Sequence, residues 1–221
     1  MPEFKIISNQ FKTRFWDFAD AAAGILAGMK LTPNALTFLG LALNGVAGLI
    51  YSTGAFFWGG CAALFAGVCD ALDGALARKT GQASRFGAFI DSVFDRFGEI
   101  FIFLGLIWYF SGGLNFFNPD AGRSIEVQSP ITVLIIALAV TGSLMVSYTR
   151  ARAEGLGLEC NVGWGQRPER MILLIIGSWL GGIPVIGQLF MQLTLFALAV
   201  LSNVTALQRI IYVKKKLLDE D

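Results

Sequence analysis

The stretch "DALDGALARKTGQASRFGAFIDSVFD", residues 70–95, decides how this chain folds. It contains four aspartates within sequence that is otherwise apolar enough for membrane helices: Asp70, Asp73, Asp91 and Asp95. An Asp at the centre of a membrane helix costs about 2.5–3.5 kcal/mol on insertion scales. We therefore expect these carboxylates to face the interior of a helical bundle, where they can share a ligand.

The composition indicates a polytopic membrane protein. Of the 221 residues, 55% are hydrophobic and 15% are charged, and the mean hydropathy is +0.63, which is too apolar for a water-soluble domain. The first residues mix charges with aromatics, so we expect no secretory signal peptide. The chain has no His, and Cys61, Cys69 and Cys160 form no CxxC pattern. Cys/His metal sites and His-based proton transfer are therefore excluded.

Six segments are apolar enough to predict transmembrane helices. They are about 32–53, 55–78, 86–110, 130–152, 169–180 and 186–212. Thr32 and Pro33 are typical of an N-cap and a first helical position. Before the spans, apolar residues at helical spacing predict an amphipathic helix in the headgroup layer: Phe11, Phe15, Phe18, Ala22 and Leu26. The predicted fold is an all-α integral membrane protein. It has one domain, 1–221, with an interfacial helix over 1–30 and a six-helix core over 32–213.

The loops predict the orientation of this bundle. Basic residues cluster on one side: Lys5, Lys12, Arg14 and Lys30 before the first span, Arg78, Lys79 and Arg85 after the second, Arg150, Arg152, Arg167 and Arg170 after the fourth, and Lys214, Lys215 and Lys216 after the sixth. The other connections contain one basic residue, Arg123. The positive-inside rule assigns the basic side to the cytoplasm. We expect a multi-pass protein of the cell membrane with both termini inside.

The spacing of the aspartates predicts a shared site. Asp70 and Asp73 are i, i+3 near the end of the second span, and Asp91 and Asp95 are i, i+4 near the start of the third, so each pair shares a helix face. The connection "KTGQAS" is short, so we expect these helices to be antiparallel and adjacent, with the carboxylates converging below the cytoplasmic surface. Such oxygen ligands suit Mg²⁺, Mn²⁺ or Ca²⁺, and paired metals serve phosphoryl chemistry. The alternative is that the carboxylates only pair with nearby guanidiniums: Arg78, Arg85 and Arg96.

The same stretch resembles the signature D-x-x-D-G-x-x-A-R … G-x-x-x-D-x-x-x-D of the CDP-alcohol phosphotransferases. Every fixed position is present: Asp70, Asp73, Gly74, Ala77, Arg78, Gly87, Asp91 and Asp95. The resemblance implies six spans and a cytoplasm-facing site. It also implies transfer of a substituted phosphate from a CDP-linked donor to an alcohol, with release of CMP.

The resemblance also implies a role for each residue. Asp70, Asp73 and Asp91 would bind two divalent ions, Mg²⁺ or Mn²⁺, and Asp95 would act as general base with a possible share in metal binding. Residues that would bind the donor are Asn34, Ala35, Leu36, Thr37, Gly74, Arg78 and Ser84. Arg78 and Ser84 would contact its phosphates, and Gly74 would leave room for the nucleotide. Helix capping is an equal alternative for Asn34 and Thr37.

A second stretch, "SYTRARAEGLGLECNVGWGQRPER" over 147–170, together with a late "QR", resembles the branch that makes phosphatidylinositol phosphate. The implied acceptor is inositol 1-phosphate, held by six residues: Ser147, Arg150, Arg152, Arg167, Arg170 and Arg209. Two positions depart from the pattern, since Arg150 stands where many members carry Lys and Gln166 replaces an acidic residue. The alternative is that these arginines only set the topology or meet lipid headgroups.

The resulting hypothesis is transfer of a phosphatidyl or archaetidyl group from CDP-diacylglycerol or CDP-archaeol to inositol 1-phosphate, by a homodimer that binds no nucleic acid. One alternative acceptor is glycerol 3-phosphate, which is also phosphorylated. A different class of protein, a cation channel or transporter with an acidic intramembrane site, is less well supported. It does not explain the Gly, Ala and Arg positions among the aspartates, or their place at one membrane face.

Overall fold

The computed structural model describes residues 9–29, 31–113 and 129–220, with only the backbone for 9–18 and 220. Over these residues the chain forms seven helices and no strand: α1 (Asn9–Gly28), α2 (Pro33–Ser52), α3 (Phe56–Lys79), α4 (Arg85–Phe110), α5 (Pro130–Glu154), α6 (Arg167–Gly181) and α7 (Gly187–Glu220). Some predicted features lie outside this description: Lys5, Lys30 and Arg123, and the side chains of Phe11, Lys12, Arg14, Phe15 and Phe18.

The ends of the helices follow local sequence signals. The Thr32 hydroxyl accepts a hydrogen bond from the backbone N–H of Ala35 at 3.3 Å, and Pro33 occupies the first position of α2, as predicted. Ser84 caps α4 by accepting from the N–H of Gly87 at 3.0 Å. Each cap satisfies a backbone donor that the first helical turn leaves unpaired.

Four helices are long and apolar enough to cross a membrane: Pro33–Ser52, Phe56–Lys79, Pro130–Glu154 and Gly187–Asp219. α4 is long enough, but Asp91, Asp95, Arg96 and Glu99 interrupt its apolar sequence. α6 has 15 residues, fewer than the about 20 that a span needs. The prediction of an all-helical membrane protein is confirmed, and the count of six spans stays a prediction.

α2 is the helix against which both aspartate-bearing helices pack. α3 and α4 have little backbone contact with each other and meet through their carboxylate side chains. Glycines explain the close approach of α2 and α4. A Cβ at Gly105 would overlap the carbonyl of Gly48, and a Cβ at Gly98 would lie 2.5 Å from the Asn44 amide nitrogen. Only glycine allows the two backbones to come this near.

The remaining helices complete the bundle. α5 packs against α7 and α4, while α6 packs against α7 and α3. The main apolar core lies between these helices and includes Tyr51, Phe110, Ile136 and Leu195, all fully buried. Large apolar side chains such as Leu49 are exposed on the outside, as expected for helices that face lipid.

The first helix docks at the end of α3 that carries the aspartates. Ala19 and Ala23 pack against Ala75 and Leu76, and the Lys79 ammonium donates a hydrogen bond to the backbone oxygen of Asp20 at 2.8 Å. α1 is therefore held against the bundle by both apolar packing and a polar contact.

Candidate active site

Three carboxylates converge between the end of α3 and the start of α4. Asp70, Asp91 and Asp95 each offer an oxygen, and these oxygens lie within 4.8 Å of one another. The helix spacing therefore predicted the convergence correctly for these three. Asp73 lies one turn further along α3 and faces a neighbouring cavity that it shares with Asp91.

The chemistry of this cluster fits a divalent cation. Within the described part of the chain, Oδ1 of Asp91 and Oδ2 of Asp73 are buried without a hydrogen-bond partner. A buried acceptor without a donor is costly, and several anionic oxygens at one place repel each other unless a cation neutralises them. Carboxylate oxygens are the ligands that Mg²⁺ and Mn²⁺ prefer. The acidic cluster could therefore hold such an ion.

Arg167, the first residue of α6, reaches into the cluster. Its Nη1 donates to Asp70 at 2.8 Å, and its Nη2 forms an ion pair with Asp95. Arg96 also contacts Asp95, at 3.3 Å, which agrees with the alternative that the aspartates pair with nearby guanidiniums. The guanidinium that bridges two carboxylates, however, belongs to a residue that the sequence assigned to the acceptor phosphate.

A cavity of about 220 Å³ lies beside the cluster, between the start of α2, the end of α3 and the start of α4. Its lining residues are Pro33, Asn34, Thr37, Asp73, Gly74, Ala77, Arg78, Gln82, Ala83, Ser84, Gly87, Ala88 and Asp91. A Cβ at Gly74 would meet only the Arg78 Nη1, at 3.5 Å, so this glycine does leave room. Thr37 and Asp91 also line a narrow gap that contains Asp70, Asp95 and Arg167, so the cavity and the carboxylate cluster adjoin at these two residues.

Five of the seven residues predicted to bind the donor line this cavity, and two do not. Leu36 is only 6% exposed and packs in the cluster formed by α1 and α3, while Ala35 is exposed on α2 outside the cavity. Successive helical residues point about 100° apart, so four consecutive residues cannot all face one cavity. The capping alternative for Asn34 is also wrong, because Thr32 caps α2. The hydroxyl of Thr37 donates to the backbone oxygen of Pro33 at 3.1 Å.

The six residues predicted to bind the acceptor lie on α5, α6 and α7, but only Arg167 contacts the carboxylate cluster, and the surroundings of the others differ. Arg150 and Arg152 are exposed, and Arg150 donates to Glu154 at 2.8 Å. The Ser147 hydroxyl donates to the backbone of Ser143 at 3.4 Å. Arg150 and Arg152 therefore lie at the surface and Ser147 is half-buried, whereas Arg167 lines the narrow gap with the carboxylates.

The other two predicted acceptor residues are buried and bound to protein groups. Arg170 is 2% exposed and donates to Glu99, Ser143 and the backbone oxygen of Gly165. Arg209 is 3% exposed and donates to the backbone oxygens of Val162, at 2.9 Å, and Val146. Both guanidiniums hold the loop that precedes α6 against the bundle.

Sequence reasoning missed three polar residues of this site. Glu99 follows Asp95 by four residues and so shares its helix face, a signal that was available. Ser143 on α5 and Asn44 on α2 lie in apolar helices that contain several other small polar residues, so the sequence does not single them out. The Oδ1 atom of Asn44 is buried without a hydrogen-bond partner among the described residues, and Asn44 lines the same narrow gap as the carboxylates.

Comparison with known proteins identifies the family. Residues 30–210 match the profile of the CDP-alcohol phosphatidyltransferases. The chain belongs to the CDP-alcohol phosphatidyltransferase family. It is therefore a membrane transferase of phospholipid biosynthesis, and the resemblance that the motif suggested is confirmed.

Relatives within the CDP-alcohol phosphatidyltransferase family match most of the chain. The phosphatidylinositol phosphate synthase of Mycolicibacterium smegmatis is 35% identical over 86% of this chain and 80% of its own length. The archaetidylinositol phosphate synthase of Methanothermobacter thermautotrophicus is 34% identical over 95% of both.

Solved structures of the phosphatidylinositol phosphate synthase of Mycobacterium tuberculosis share the fold. The structure with CDP-DAG bound has a TM-score of 0.74 at 31% identity, covering 88% of this chain and 92% of that one. A second structure, in complex with manganese and citrate, also has a TM-score of 0.74, at 30% identity, covering 88% of each chain.

Proposed function

We propose that this phosphatidyltransferase moves the phosphatidyl or archaetidyl group of a CDP-linked lipid to a hydroxyl of inositol 1-phosphate and releases CMP. The observation that carries the proposal is the position of the carboxylate cluster. It lies beside the cavity at the start of α2, with which it shares Asp91, and Arg167 at the start of α6 contacts Asp70 and Asp95 of the cluster. The names of the relatives support an inositol phosphate acceptor.

The donor head group would occupy the cavity of about 220 Å³. Its lining supplies polar contacts from Asn34, Thr37, Arg78 and Ser84, and space at Gly74. Arginine suits phosphate because its planar guanidinium presents several donors. The CDP-DAG in the Mycobacterium tuberculosis structure supports a CDP-lipid donor.

The acceptor phosphate would lie on the other side of the cluster. Ser147, Arg150, Arg152 and Arg167 would contact it, while the buried Arg170 and Arg209 would form the wall behind them. In this arrangement Arg167 brings the phosphorylated acceptor beside Asp95, because its guanidinium is already in contact with that carboxylate.

Divalent cations would be held by the carboxylates: Asp70, Asp73, Asp91 and Asp95. When bound, two Mg²⁺ or Mn²⁺ ions would neutralise the donor diphosphate and stabilise the charge of the departing CMP. The manganese in the Mycobacterium tuberculosis structure supports this assignment.

The chemistry needs one base and good positioning. Asp95 accepts the proton of the acceptor hydroxyl, and the oxygen attacks the phosphorus that carries the lipid. The bond from that phosphorus to the bridging oxygen breaks, and CMP leaves with the electron pair. Phosphoryl transfer is accelerated mostly by positioning and electrostatic stabilisation, so a covalent nucleophile is unnecessary.

The proposal includes the arrangement in the membrane. α2 to α7 would be six spans of one domain, with α4 shielding its charges inside the bundle and α1 lying in the headgroup layer. The basic ends would face the cytoplasm, which places the water-soluble acceptor and the released CMP in that compartment. A homodimer in the cell membrane completes the proposal.

The test is an acceptor panel with the purified protein in lipid nanodiscs. Mg²⁺ and either CDP-diacylglycerol or CDP-archaeol are supplied with inositol 1-phosphate, glycerol 3-phosphate, free inositol or no alcohol, and CMP and the lipid product are measured. We expect both products with inositol 1-phosphate and only background with the other three. Faster turnover of glycerol 3-phosphate would refute the acceptor assignment, and a folded protein that never releases CMP would refute the reaction.

A further inference from the structure

Two layers of ion pairs connect α4 to α6. These helices have little backbone contact with each other, so their side chains bridge the gap. The upper pair joins Asp95 to Arg167, and the lower pair joins Glu99 to Arg170. Asp95 and Glu99 are four residues apart, so they share one face of α4. Arg167 and Arg170 are three residues apart, so they share one face of α6. The two ion pairs therefore lie one helical turn apart, the first within the carboxylate cluster and the second next to it.

The lower pair is buried and fully engaged. Arg170 is 2% exposed and Glu99 is 7% exposed, and Nη2 of Arg170 lies 3.3 and 3.2 Å from the two carboxylate oxygens of Glu99. The Ser143 hydroxyl donates to Glu99 at 2.6 Å and accepts from Arg170 at 2.9 Å. Nη1 of Arg170 donates to the backbone oxygen of Gly165 at 2.8 Å. These contacts join α4, α5, α6 and the loop before α6.

A guanidinium that is buried and already bonded to protein groups is placed to hold structure in position. Because Arg170 binds both Glu99 and the Gly165 carbonyl, it fixes the loop and the first turn of α6, and Arg167 lies in that first turn. We propose that Glu99 is a positioning residue for the transfer reaction, which sets the place of Arg167 relative to Asp95 through its buried pair with Arg170. This inference rests on the proposed function for the reaction that it supports.

The donor side provides an internal reference. The cavity assigned to the CDP-lipid is lined by residues of α2, α3, the loop after α3 and the first two turns of α4, and none of its lining residues belongs to α6. A change at Glu99 should therefore affect the acceptor much more than the donor, which Arg167 reaches only through Asp70 and Asp95. A residue that only stabilises the fold would instead lower the amount of active enzyme and leave both KM values unchanged.

The main variant is Glu99→Gln, which keeps the shape of the side chain and removes its charge. We expect kcat/KM for inositol 1-phosphate to fall at least about tenfold per folded molecule, because small displacements of positioning groups are costly. The KM for CDP-diacylglycerol should change less than twofold. Glu99→Asp keeps the charge and should recover part of the loss.

The matched control is Tyr51→Phe. The Tyr51 hydroxyl and the Ser178 hydroxyl form a buried hydrogen bond of 2.6 Å, which also ties α6 to its neighbours, but near the far end of that helix. This variant should lower the thermal unfolding temperature while kcat and both KM values per folded molecule remain those of the wild type.

Some results would overturn the positioning role. One is a fall in kcat with both KM values unchanged in Glu99→Gln, and another is unchanged acceptor kinetics. If Glu99→Gln does not fold, the double variant Glu99→Leu with Arg170→Met replaces both charges by apolar groups, which buried sites tolerate better than one unpaired charge. We expect it to recover thermal stability and keep the acceptor defect. Recovery of full acceptor kinetics would overturn the proposal.

A distance measurement separates this inference from the proposed function. Spin labels at Phe89 on α4 and Ile172 on α6, both exposed, are introduced after the native cysteines are replaced by Ala. Pulsed EPR in nanodiscs should give a narrow distance distribution for otherwise wild-type protein and a broader one for Glu99→Gln. Equal widths would overturn the positioning role even if inositol 1-phosphate is not the acceptor. If the wild type rejects that acceptor, only the proposed function fails.

Discussion

Replacing Asp95 by Asn removes the proton acceptor of the proposed reaction while keeping the size of the side chain. A positioned general base contributes about 10²–10⁴-fold to the rate. At 1.36 kcal/mol for each factor of ten, that is about 2.7–5.4 kcal/mol of the barrier. We expect turnover of Asp95→Asn to fall by that range.

The structure separates this effect from metal binding. Asp70 and Asp91 still converge when Asp95 is neutral, and Asp70 still holds Arg167 at 2.8 Å. Metal-dependent binding of the CDP-lipid should therefore fall much less than turnover. Rates are measured by release of labelled CMP, and donor affinity by equilibrium titration with Mn²⁺ present. The control is Asp20→Asn, the same substitution at an exposed carboxylate on α1, which should behave as wild type.

Two results would refute the assignment of Asp95 as base. One is turnover within tenfold of the wild type. The other is donor affinity that falls in parallel with turnover, since that would make the carboxylate a metal ligand alone.

Three further outcomes are expected. Gly74→Leu should raise the KM for the CDP-lipid at least tenfold, because the leucine side chain would project into the cavity of about 220 Å³. The control is Gly67→Leu on the same helix, where a Cβ would have no neighbouring atom within 4 Å, and this variant should keep the wild-type KM. Equal KM values for the two variants would place the nucleotide elsewhere. EDTA should abolish transfer and Mg²⁺ or Mn²⁺ should restore it; turnover that resists the chelator would count against the metal site. Gly105→Ala should destabilise the protein by about 1–3 kcal/mol in a thermal or denaturant assay, because the alanine Cβ would overlap the Gly48 carbonyl. The control Gly67→Ala should leave the stability unchanged. If Gly105→Ala is as stable as the wild type, α2 and α4 can move apart.

Helix periodicity made the carboxylate cluster predictable. The separations of three and four residues within each aspartate pair fix a shared helix face whatever the tertiary structure. The caps at Thr32 and Ser84 are equally local, because a hydroxyl before a helix needs only its own first turn. For the same reason the ends of α2, α3 and α4 lie within one residue of the predicted bounds.

The relations between helices were not predictable in this way. A short connection makes two helices antiparallel, but it does not determine how much of their backbone is in contact, and here α2 packs against both. The glycines at 48 and 105 become informative only once it is known that they face each other. Arg167 and Arg170 read as equivalent basic residues in one loop, yet one reaches the aspartates and the other is buried beside Glu99. Only the three-dimensional arrangement distinguishes them.

Because α2 packs against α3 and α4, these three helices form one part of the molecule, and α5, α6 and α7 form a second part that could tolerate different substitutions. α2 packs against both carboxylate-bearing helices and also lines the cavity proposed for the nucleotide, so under the proposed function a shift of this helix would alter ion binding and nucleotide binding together. The residues proposed to bind the acceptor lie on α5, α6 and α7, and none of them lines that cavity. Under the proposed function, substitutions on α5, α6 and α7 would change which alcohol is accepted, while the residues that bind the CDP-lipid could stay the same.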